Sequence, residues 1–323
     1  MTTHNLRNPT AFRILIVDDI HEILLQKLRD ANVSFLYRPD IDKSEASGLI
    51  SDFNGLVIRS KFQVDASFID QATNLQLIAR AGAGTDNIDD HYAKEKNIQL
   101  FAANQGNCDA VGEHMIGMLL GLMNNLNRAD RQVRAGSWLR EENRGHELNG
   151  KTVGLIGYGH NGRAMAKKLS GFDVRVIAYD KYKWGFTDTY AQEVSMEEIV
   201  RQSDILSLHV PLTRETNNLV DQEYLSHFRK PIYLLSGARG PIVHIPAVLD
   251  ALYQNSIIGA AFDVLPVEKF PELGAQTWYQ QLIKEDRIAL SPHVAGWTVE
   301  SYFKLADILA DKILSYLREN QYN

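Results

Sequence analysis

The chain has 323 residues, of which 45% are hydrophobic and 23% are charged, and its formal net charge at pH 7 is −6. This length exceeds what one hydrophobic core usually organises, so we expect two domains in an ordinary globular protein. The acidic balance provides no broad basic surface for nucleic acid, and no stretch is apolar enough to span a membrane. The only cysteine, Cys108, excludes a disulfide framework, and with no secretory pattern at the N-terminus it predicts a reducing, cytoplasmic setting.

Short apolar runs alternate with helix-like stretches along nearly the whole chain, which predicts α/β architecture with parallel sheets. The predicted strands of the first third are residues 13–17, 33–37, 56–58, 77–79 and 98–101. A long helical pattern rich in Met, Leu and Gly then runs from residue 109 to about 135. Polar residues interrupt it too often for a membrane span, so we expect its apolar face to pack at a subunit interface, as in a homodimer.

The most informative motif is Gly-Tyr-Gly-His-Asn-Gly at residues 157–162. A short apolar run at 152–156 precedes it, a helical pattern at 163–169 follows it, and a second apolar run at 174–179 ends at Asp180. A glycine motif alone is weak evidence, because such motifs often only begin a helix. Strand, glycines, helix, strand and acid in this order form the dinucleotide-binding fingerprint, with the acid roughly 20 residues from the glycines.

Each glycine of the fingerprint has a separate role. Gly157 allows the tight turn, Gly159 lets the backbone approach a pyrophosphate, and Gly162 lets the helix pack close to the sheet. The free N–H groups and the positive dipole end of the helix then hold the phosphate charge. These features predict a bound dinucleotide.

Asp180 indicates which dinucleotide is bound. At the tip of its strand, its carboxylate can accept hydrogen bonds from both hydroxyls of the adenosine ribose. The same negative charge repels a 2′-phosphate, so the sequence predicts NAD rather than NADP. Lys181 and Lys183 weaken this prediction a little, because either can screen a phosphate.

A second doubly wound unit is predicted around and after the fingerprint. Its further strands are expected at residues 205–208, 232–235, 257–262 and 287–290. Leucine and isoleucine at helical spacing predict a terminal helix at residues 299–317. This helix can pack back on the first unit, which makes that domain discontinuous in sequence.

Three polar residues follow successive strands of the second unit, at the end where such folds bind ligands. Arg239 lies in Ser-Gly-Ala-Arg-Gly, Glu268 follows the next strand, and His293 lies in Ser-Pro-His-Val-Ala-Gly. We call these residues the strand-end trio. Each also has an ordinary interpretation, as a loop residue or a solvated charge, but their joint placement favours a catalytic one.

The strand-end trio suits oxidation of a 2-hydroxy acid. The planar guanidinium of Arg239 matches a carboxylate and polarises the C2 oxygen. His293 can take the hydroxyl proton while a hydride leaves C2, and Glu268 fixes the tautomer of the imidazole. Asp263, which lies between Arg239 and Glu268 in the sequence, is placed to hold the carboxamide of a nicotinamide.

The fingerprint, the Ser-Gly-Ala-Arg-Gly segment, the Asp263-to-Glu268 spacing and Pro-His-Val-Ala-Gly resemble the D-isomer-specific 2-hydroxyacid dehydrogenases over nearly the whole chain. The resemblance implies a Rossmann-type NAD-binding domain at 104–296, inserted into a flavodoxin-like substrate domain made of 1–103 and 297–323. It also implies a dimer through the long helix.

Residue roles follow from the same resemblance. It implies Arg239 as the substrate-orienting cation, His293 as the acid/base and Glu268 as the partner of His293. Further residues assigned by it to the cofactor are His160 and Asn161 under the pyrophosphate, Val210 and Pro211 on the adenine side, and Gly237, Ala238, Asp263 and Gly296 at the nicotinamide end.

The N-terminal half is most similar to the phosphoglycerate dehydrogenase branch, through Val-Ile-Arg-Ser at 57–60, the segment 79–89 and His-Glu-Leu-Asn-Gly-Lys at 146–151. The resemblance implies that Arg59 and Ser60 hold a substrate phosphate. Arg59 also has an ordinary interpretation as a surface arginine at a strand end. The residues whose backbone N–H groups are expected to hold the substrate carboxylate are Ala81, Gly82, Ala83 and Gly84.

Two alternatives remain open from the sequence. The same machinery serves a hydroxypyruvate or glyoxylate reductase, whose substrate carries no phosphate. A dinucleotide-sensing corepressor also has this fold, although the acidic composition and the lack of an evident interaction tail weigh against it.

Overall fold

The computed structural model describes residues 12–320. Their contacts form two compact units: one contains the described residues up to 107 together with those from 298 onward, and the other contains residues 108–297. These limits differ from the predicted boundaries, 103/104 and 296/297, by four residues and by one residue. Residues 1–11 and 321–323 of the predicted substrate domain lie outside the described residues.

The first unit is built on a five-stranded parallel sheet with the order β2-β1-β3-β4-β5. Its strands are β1 (Arg13–Ile16), β2 (Ser34–Tyr37), β3 (Gly55–Ile58), β4 (Leu77–Arg80) and β5 (Gln99–Ala102). Its helices are α1 (Glu22–Asp30), α2 (Lys43–Leu49), α3 (Ala66–Gln71), α4 (Asp90–Glu95) and the C-terminal α12 (Val299–Glu319). This strand order is the flavodoxin-like one.

Helix α12 belongs to the core of the first unit. Its residues Leu309 and Ile313 are fully buried in one apolar cluster with Ile14 and Ile16 of β1. A second cluster, which includes Leu15 and residues of α2 to α4, covers the other face of the same sheet. The alternating side chains of each strand therefore fill two cores, and the chain end supplies part of the first.

The second unit is built on a seven-stranded parallel sheet with the order β12-β11-β10-β9-β6-β7-β8. Its strands are β6 (Thr152–Ile156), β7 (Arg175–Tyr179), β8 (Gln192–Glu193), β9 (Ile205–Leu208), β10 (Ile232–Ser236), β11 (Ile257–Phe262) and β12 (Ile288–Leu290). Its helices are α5 (Cys108–Met123), α6 (Leu126–Arg134), α7 (His160–Leu169), α8 (Met196–Gln202), α9 (Gln222–Ser226), α10 (Ile245–Tyr253) and α11 (Tyr279–Leu282). The order reverses between β6 and β9, the switch point where such sheets bind ligands.

The two doubly wound α/β units predicted from the sequence are confirmed. All ten strands predicted around the fingerprint strand are present, and no strand end differs from the prediction by more than one residue. The two-residue strand β8 was not predicted, because a segment this short carries no periodicity.

The prediction of one continuous helix from 109 to about 135 is wrong. Asn125 adopts the left-handed conformation, with φ 53°, and separates α5 from α6. Asparagine tolerates this conformation, and the side chain of Asn124 turns back to donate a hydrogen bond to Leu120 O at 3.0 Å.

The apolar face of this segment, which was expected to pack at a subunit interface, lies in part inside the second unit. Met115 and Leu119 of α5 are fully buried in the core of the second unit, in the same cluster as Met165 of α7. The exposed apolar side chains lie instead on α6, where Leu126 and Val133 are 55% and 50% exposed. Between residues 12 and 320, no helix combines the length and apolarity needed to cross a membrane.

Candidate active site

The fingerprint glycines lie at the switch point, directly after β6. Gly157 has φ +94°, and a Cβ on it would lie 2.6 Å from the backbone O of His209. A Cβ on Gly162 would lie 2.2 Å from the backbone O of Gly157, so packing requires both glycines. Around Gly159, in contrast, a Cβ would meet no atom of the described chain within 4 Å. The fold therefore leaves open the one glycine whose space a pyrophosphate needs, and the turn fits a dinucleotide.

The N-terminus of α7 provides the anion-binding end of this turn. Gly159 is the N-cap and offers no side chain to the first free amides of the helix. The side-chain oxygen of Asn161 is buried and has no hydrogen-bond partner among residues 12–320. The free helix amides are donors for an anion, whereas the Asn161 oxygen is an acceptor for a hydroxyl or N–H group of a ligand. His160, beside them, is exposed.

Asp180 holds the two loops that border the ribose position. Its Oδ2 accepts a hydrogen bond from the Tyr158 amide at 2.9 Å, and its Oδ1 accepts one from the Tyr182 amide at 3.0 Å. Each carboxylate oxygen has a further lone pair, which leaves acceptors for the ribose hydroxyls. This arrangement is compatible with the prediction that Asp180 faces the ribose and repels a 2′-phosphate.

Both lysines that could screen such a phosphate have partners elsewhere. Lys181 Nζ lies 2.6 Å from Glu215 Oε2, and Lys183 Nζ donates to the backbone O of Tyr158 at 3.2 Å. The hydroxyl of Tyr182 donates to the same Glu215 oxygen at 2.9 Å. The loop after β7 is thus tied to the loop after β9, and the reservation that these lysines raised against NAD loses weight.

Sequence reasoning missed His209, which lies under the fingerprint. Its ring nitrogen Nε2 is 2.9 Å from Ser207 Oγ, and burial lowers the pKa of the imidazole to about 4. The ring is therefore neutral, and the backbone of His209 lies against the glycine turn. The next residues, Val210 and Pro211, lie at the start of the loop that Glu215 ties down, and Val210 Cγ1 would lie 3.0 Å from a Cβ on Gly157.

The strand-end trio follows β10, β11 and β12, which are neighbours in the sheet. His293 Nδ1 lies 2.9 Å from Glu268 Oε2, and the two side chains are 48% and 41% exposed. The hydrogen bond to Glu268 raises the pKa of His293 above its usual value, whereas burial and the charge of Arg239 lower it. The structure thus brings together an imidazole, a carboxylate on one of its nitrogens and a guanidinium close enough to act on its charge.

Arg239 is positioned by the loop that continues β10. Its backbone is extended, with φ −144°, and Nη1 donates to the backbone O of Ala238 at 2.7 Å. A Cβ on the next residue, Gly240, would lie 1.9 Å from the backbone O of Leu265, so the segment packs directly on the loop that leads to Glu268. Close packing of these two loops keeps the guanidinium and the carboxylate near each other.

The first residues of the same loop contact α5. A Cβ on Gly237 would lie 2.6 Å from Met115 Sδ, so Gly237 packs closely against the side chain of that helix. Ala238 is 7% exposed. Gly296, which follows β12 and lies three residues after His293, is half-buried. Their assignment to the nicotinamide end of the cofactor stays a prediction.

Asp263 lies under the histidine loop, residues 291–295. Its side chain is 1% exposed, and Oδ1 accepts from Ser291 Oγ at 2.6 Å and from the Val294 amide at 2.9 Å. Its Oδ2 accepts from the Ala295 amide at 2.9 Å, and its backbone O accepts from the His293 amide at 2.7 Å. The carboxylate expected to hold a carboxamide therefore has its hydrogen bonds in the protein, and that predicted contact stays untested.

In the first unit, Arg59 and Ser60 follow β3 on a turn that Asp18 organises. Asp18 Oδ2 accepts from the amides of Arg59, Ser60 and Lys61 at 2.7, 3.0 and 3.1 Å. The Arg59 guanidinium lies over the Tyr302 ring, 5.6 Å from its centroid. Burial lowers the pKa of Arg59, and the neighbouring acidic groups oppose this shift only in part.

The four amides expected to hold a carboxylate are not equivalent. Ala81 N donates to Ile58 O at 2.9 Å, because it continues the hydrogen-bond ladder between β4 and β3, and Gly82 N donates to Arg80 O at 2.9 Å. Within residues 12–320, the amides of Ala83 and Gly84 donate to no protein acceptor. If this segment binds a carboxylate, the latter two are the donors that it offers.

Comparisons with known proteins show which proteins the chain is similar to. Residues 116–295 match the family model of the D-isomer specific 2-hydroxyacid dehydrogenase, NAD binding domain. Glyoxylate reductase of Thermofilum pendens is 34% identical over 276 residues, which are 83% of this chain and 80% of that protein. D-3-phosphoglycerate dehydrogenase of Archaeoglobus fulgidus is 30% identical over 305 residues, 94% of this chain and 57% of the relative.

A solved structure is similar over the same extent. The TT0316 protein from Thermus thermophilus is 26% identical, with a TM-score of 0.81 and coverage of 95% of this chain and 97% of that one. The family model is that of an NAD-binding domain, and NAD is the cofactor of this chain. The chain belongs to the D-isomer-specific 2-hydroxyacid dehydrogenase family.

Proposed function

We propose that this protein interconverts D-3-phosphoglycerate and 3-phosphohydroxypyruvate with NAD, the entry to serine synthesis. The observation that carries the reaction class is the 2.9 Å contact of His293 with Glu268 beside Arg239, at the carboxyl edge of a dinucleotide-binding sheet. Bound NAD(H) supplies or accepts the hydride. The residues of the chain supply the proton and orient the substrate.

His293 is the proposed carrier of the proton. Its Nδ1 donates to Glu268, which leaves Nε2 to face the substrate oxygen. During reduction of the keto acid, Nε2 gives its proton to the C2 oxygen, and during oxidation it takes that proton back. Glu268 stabilises the imidazolium form, and Arg239 polarises the C2 carbonyl and binds the neighbouring carboxylate.

Replacement of the histidine partner gives a pH-dependent result. Glu268→Gln removes the largest contribution that raises the pKa of His293, so this pKa falls. Reduction needs the imidazolium, which is present below the pKa and lost above it. We therefore expect the falling limb of kcat/KM for keto-acid reduction to move to lower pH in Glu268→Gln, whereas oxidation extends to lower pH. Glu272→Gln, at an exposed glutamate nearby, is the matched control; an identical profile in both variants would contradict the role of Glu268.

The phosphate in the proposed substrate rests on Arg59 and Ser60. Asp18 commits one oxygen to three backbone amides, which presents the two side chains from a fixed turn. A half-buried guanidinium with a lowered pKa is stabilised when an anion arrives. A charge plus a hydroxyl donor is a suitable set for a phosphate.

Arg59→Ala tests the substrate assignment. A charge-assisted hydrogen bond contributes about 1.5–3 kcal/mol, so we expect KM for 3-phosphohydroxypyruvate to rise about 10- to 100-fold. KM for hydroxypyruvate, which lacks the phosphate, stays near the wild-type value. Arg38→Ala removes an exposed arginine from the same unit and serves as control. An unchanged KM for the phosphorylated substrate would exclude phosphoglycerate.

A hydroxypyruvate or glyoxylate reductase is the second candidate. The charges of Asp18 and Asp19 act on the Arg59 guanidinium, which reduces the net positive charge available to a phosphate. The similar glyoxylate reductase is also 34% identical to this chain, against 30% for the phosphoglycerate dehydrogenase. Turnover of glyoxylate with no preference for the phosphorylated acid would select this candidate. NADH binding without any turnover would instead favour a dinucleotide-sensing protein.

We propose further that the protein is a homodimer that pairs through α6 and the segment after it. Trp138 is 78% exposed there, with Leu126 and Val133 half or more exposed beside it in sequence. Large apolar side chains of this kind are typical of an interface. We expect sedimentation to give twice the chain mass of 36.4 kDa for the wild type and a shift to monomer for Val133→Asp. A monomeric wild type would remove the proposal.

A further inference from the structure

A hydrogen-bonded chain connects α5 to the loop that carries His293. His114 Nε2 lies 2.8 Å from Ser291 Oγ, and Ser291 Oγ lies 2.6 Å from Asp263 Oδ1. His114 Nε2 is itself 3.6 Å from the same carboxylate oxygen. The histidine side chain is 27% exposed, whereas that of Asp263 is 1% exposed, so the chain leads from a half-buried helix face to a buried charge.

The acceptor at the end of this chain fixes the direction of its hydrogen bonds. Asp263 is an acceptor, so the single proton of the Ser291 hydroxyl points to the carboxylate. The other contact of the hydroxyl, with Met118 Sδ at 3.5 Å, is longer and has a weak acceptor. The Ser291 oxygen is then free to accept, and His114 donates to it from Nε2.

The carboxylate held in this way also holds the histidine loop. Asp263 receives the amides of Val294 and Ala295 on its two oxygens, and its backbone O receives the amide of His293. His293 itself has φ +56°, a left-handed conformation that is uncommon for a histidine and that costs backbone strain. The network around Asp263 holds the loop in this conformation.

We propose that His114 and Ser291 are positioning residues, which fix Asp263 and through it the left-handed His293 in its working orientation. The inference rests on the proposed function of His293 as acid/base. Neither residue touches the reacting atoms in this assignment. Their removal therefore affects the catalytic step and leaves cofactor binding in place.

Paired substitutions separate the hydroxyl and the imidazole from general damage. Ser291→Ala removes the hydroxyl that links His114 to Asp263, whereas Ser291→Thr keeps a hydroxyl. His114→Leu removes the hydrogen-bond donor to Ser291, whereas His114→Gln keeps a donor. We expect kcat to fall about tenfold or more in Ser291→Ala and His114→Leu, as for loss of a buried hydrogen bond. KM and the NADH dissociation constant stay within about threefold of the wild type, and the Thr and Gln variants recover much of kcat.

The controls are a serine and a histidine outside the network. Ser226→Ala removes a hydroxyl that donates to Glu223 O on the surface, and His91→Gln changes an exposed histidine paired with Glu95. Thermal unfolding of every variant reports whether the fold persists. Unchanged kcat in Ser291→Ala, or an equal loss in Ser291→Ala and Ser291→Thr, overturns the proposal.

An activity-independent measurement keeps this test separate from that of the proposed function. In histidine-labelled protein, the ring signals of His293 are identified by their absence in His293→Asn. We expect them to shift or broaden in Ser291→Ala and to return in Ser291→Thr. If the wild type turns over no 2-keto acid, the proposed function fails, but these signals still report whether Ser291 orders His293. If the wild type is active and the signals and kcat are unaffected, only the positioning role fails.

Discussion

His293→Asn is expected to lower kcat by about 10²- to 10⁴-fold for keto-acid reduction and for hydroxy-acid oxidation, the usual contribution of a positioned acid/base. Asparagine is the sharpest replacement here, because it tolerates the left-handed backbone that His293 adopts at φ +56°. An alanine at this position adds backbone strain to the loss of the imidazole. The asparagine variant removes the proton carrier and keeps the loop.

Three measurements make this expectation specific. The NADH dissociation constant of His293→Asn stays within a few-fold of the wild type, because the residues proposed to contact the cofactor, Gly157 to Gly162 and Asp180, lie elsewhere in the sheet. Imidazole added to the solution restores part of kcat, since it can carry the proton into the space left by the side chain. The pH-dependent limb assigned to His293 disappears. A variant that keeps kcat within a few-fold of the wild type would show that another group carries the proton.

The glycine fingerprint and the strand-end trio could be predicted because their signals are local. The switch-point turn requires Gly157 and Gly162, whose Cβ positions would meet the backbone of His209 and of Gly157, and the glycine spacing shows this in the sequence. The carboxyl ends of parallel strands meet at one edge of a sheet, so residues after β10, β11 and β12 lie close together once the strands are recognised. Distant segments of sequence then map to one place.

Features that depend on side chains from distant elements could not be predicted. His114 gave no local signal inside an apolar helix, yet it reaches Ser291, which is 177 residues away in the sequence. The hydrogen-bond partners of Asp263 could not be predicted either. The sequence suggests a group that binds a ligand, and only the structure shows that Asp263 is buried and bonded within the protein. Only the fold shows that the amides of Ala81 and Gly82 are used inside the first unit.

The helix break at Asn125 illustrates a different limit. The apolar α5 gives way to the polar α6, but the residues on both sides favour helix, so local preference alone joins α5 to α6. Two consecutive asparagines were the available signal, since asparagine favours helix ends over helix interiors. The residue types on the two sides were compatible with one helix, and the backbone conformation of a single residue decided the outcome.

Arg239→Lys is the second substitution with a large expected effect. Lysine keeps the positive charge but replaces a planar fork with a single ammonium, so it cannot bind a carboxylate and the C2 oxygen in the same geometry. Loss of one donor aimed at a developing oxyanion costs about 10²–10³ in kcat, and we expect a decrease of this size for Arg239→Lys. KM for the keto acid rises as well, because the ground-state carboxylate contact is also lost.

Arg239→Gln separates the charge from the fork. The charge of Arg239 lowers the pKa of His293, so its removal raises that pKa, and the limb of keto-acid reduction moves to higher pH, opposite to the shift expected for Glu268→Gln. Arg239→Lys keeps the charge and should leave the limb close to its wild-type position. The measurement is a pH profile of kcat/KM for the three variants beside the wild type. If Arg239→Lys loses activity but keeps the wild-type pH limb, substrate recognition depends on the guanidinium fork. If Arg239→Lys is fully active, Arg239 contributes only its charge, and another residue must orient the substrate.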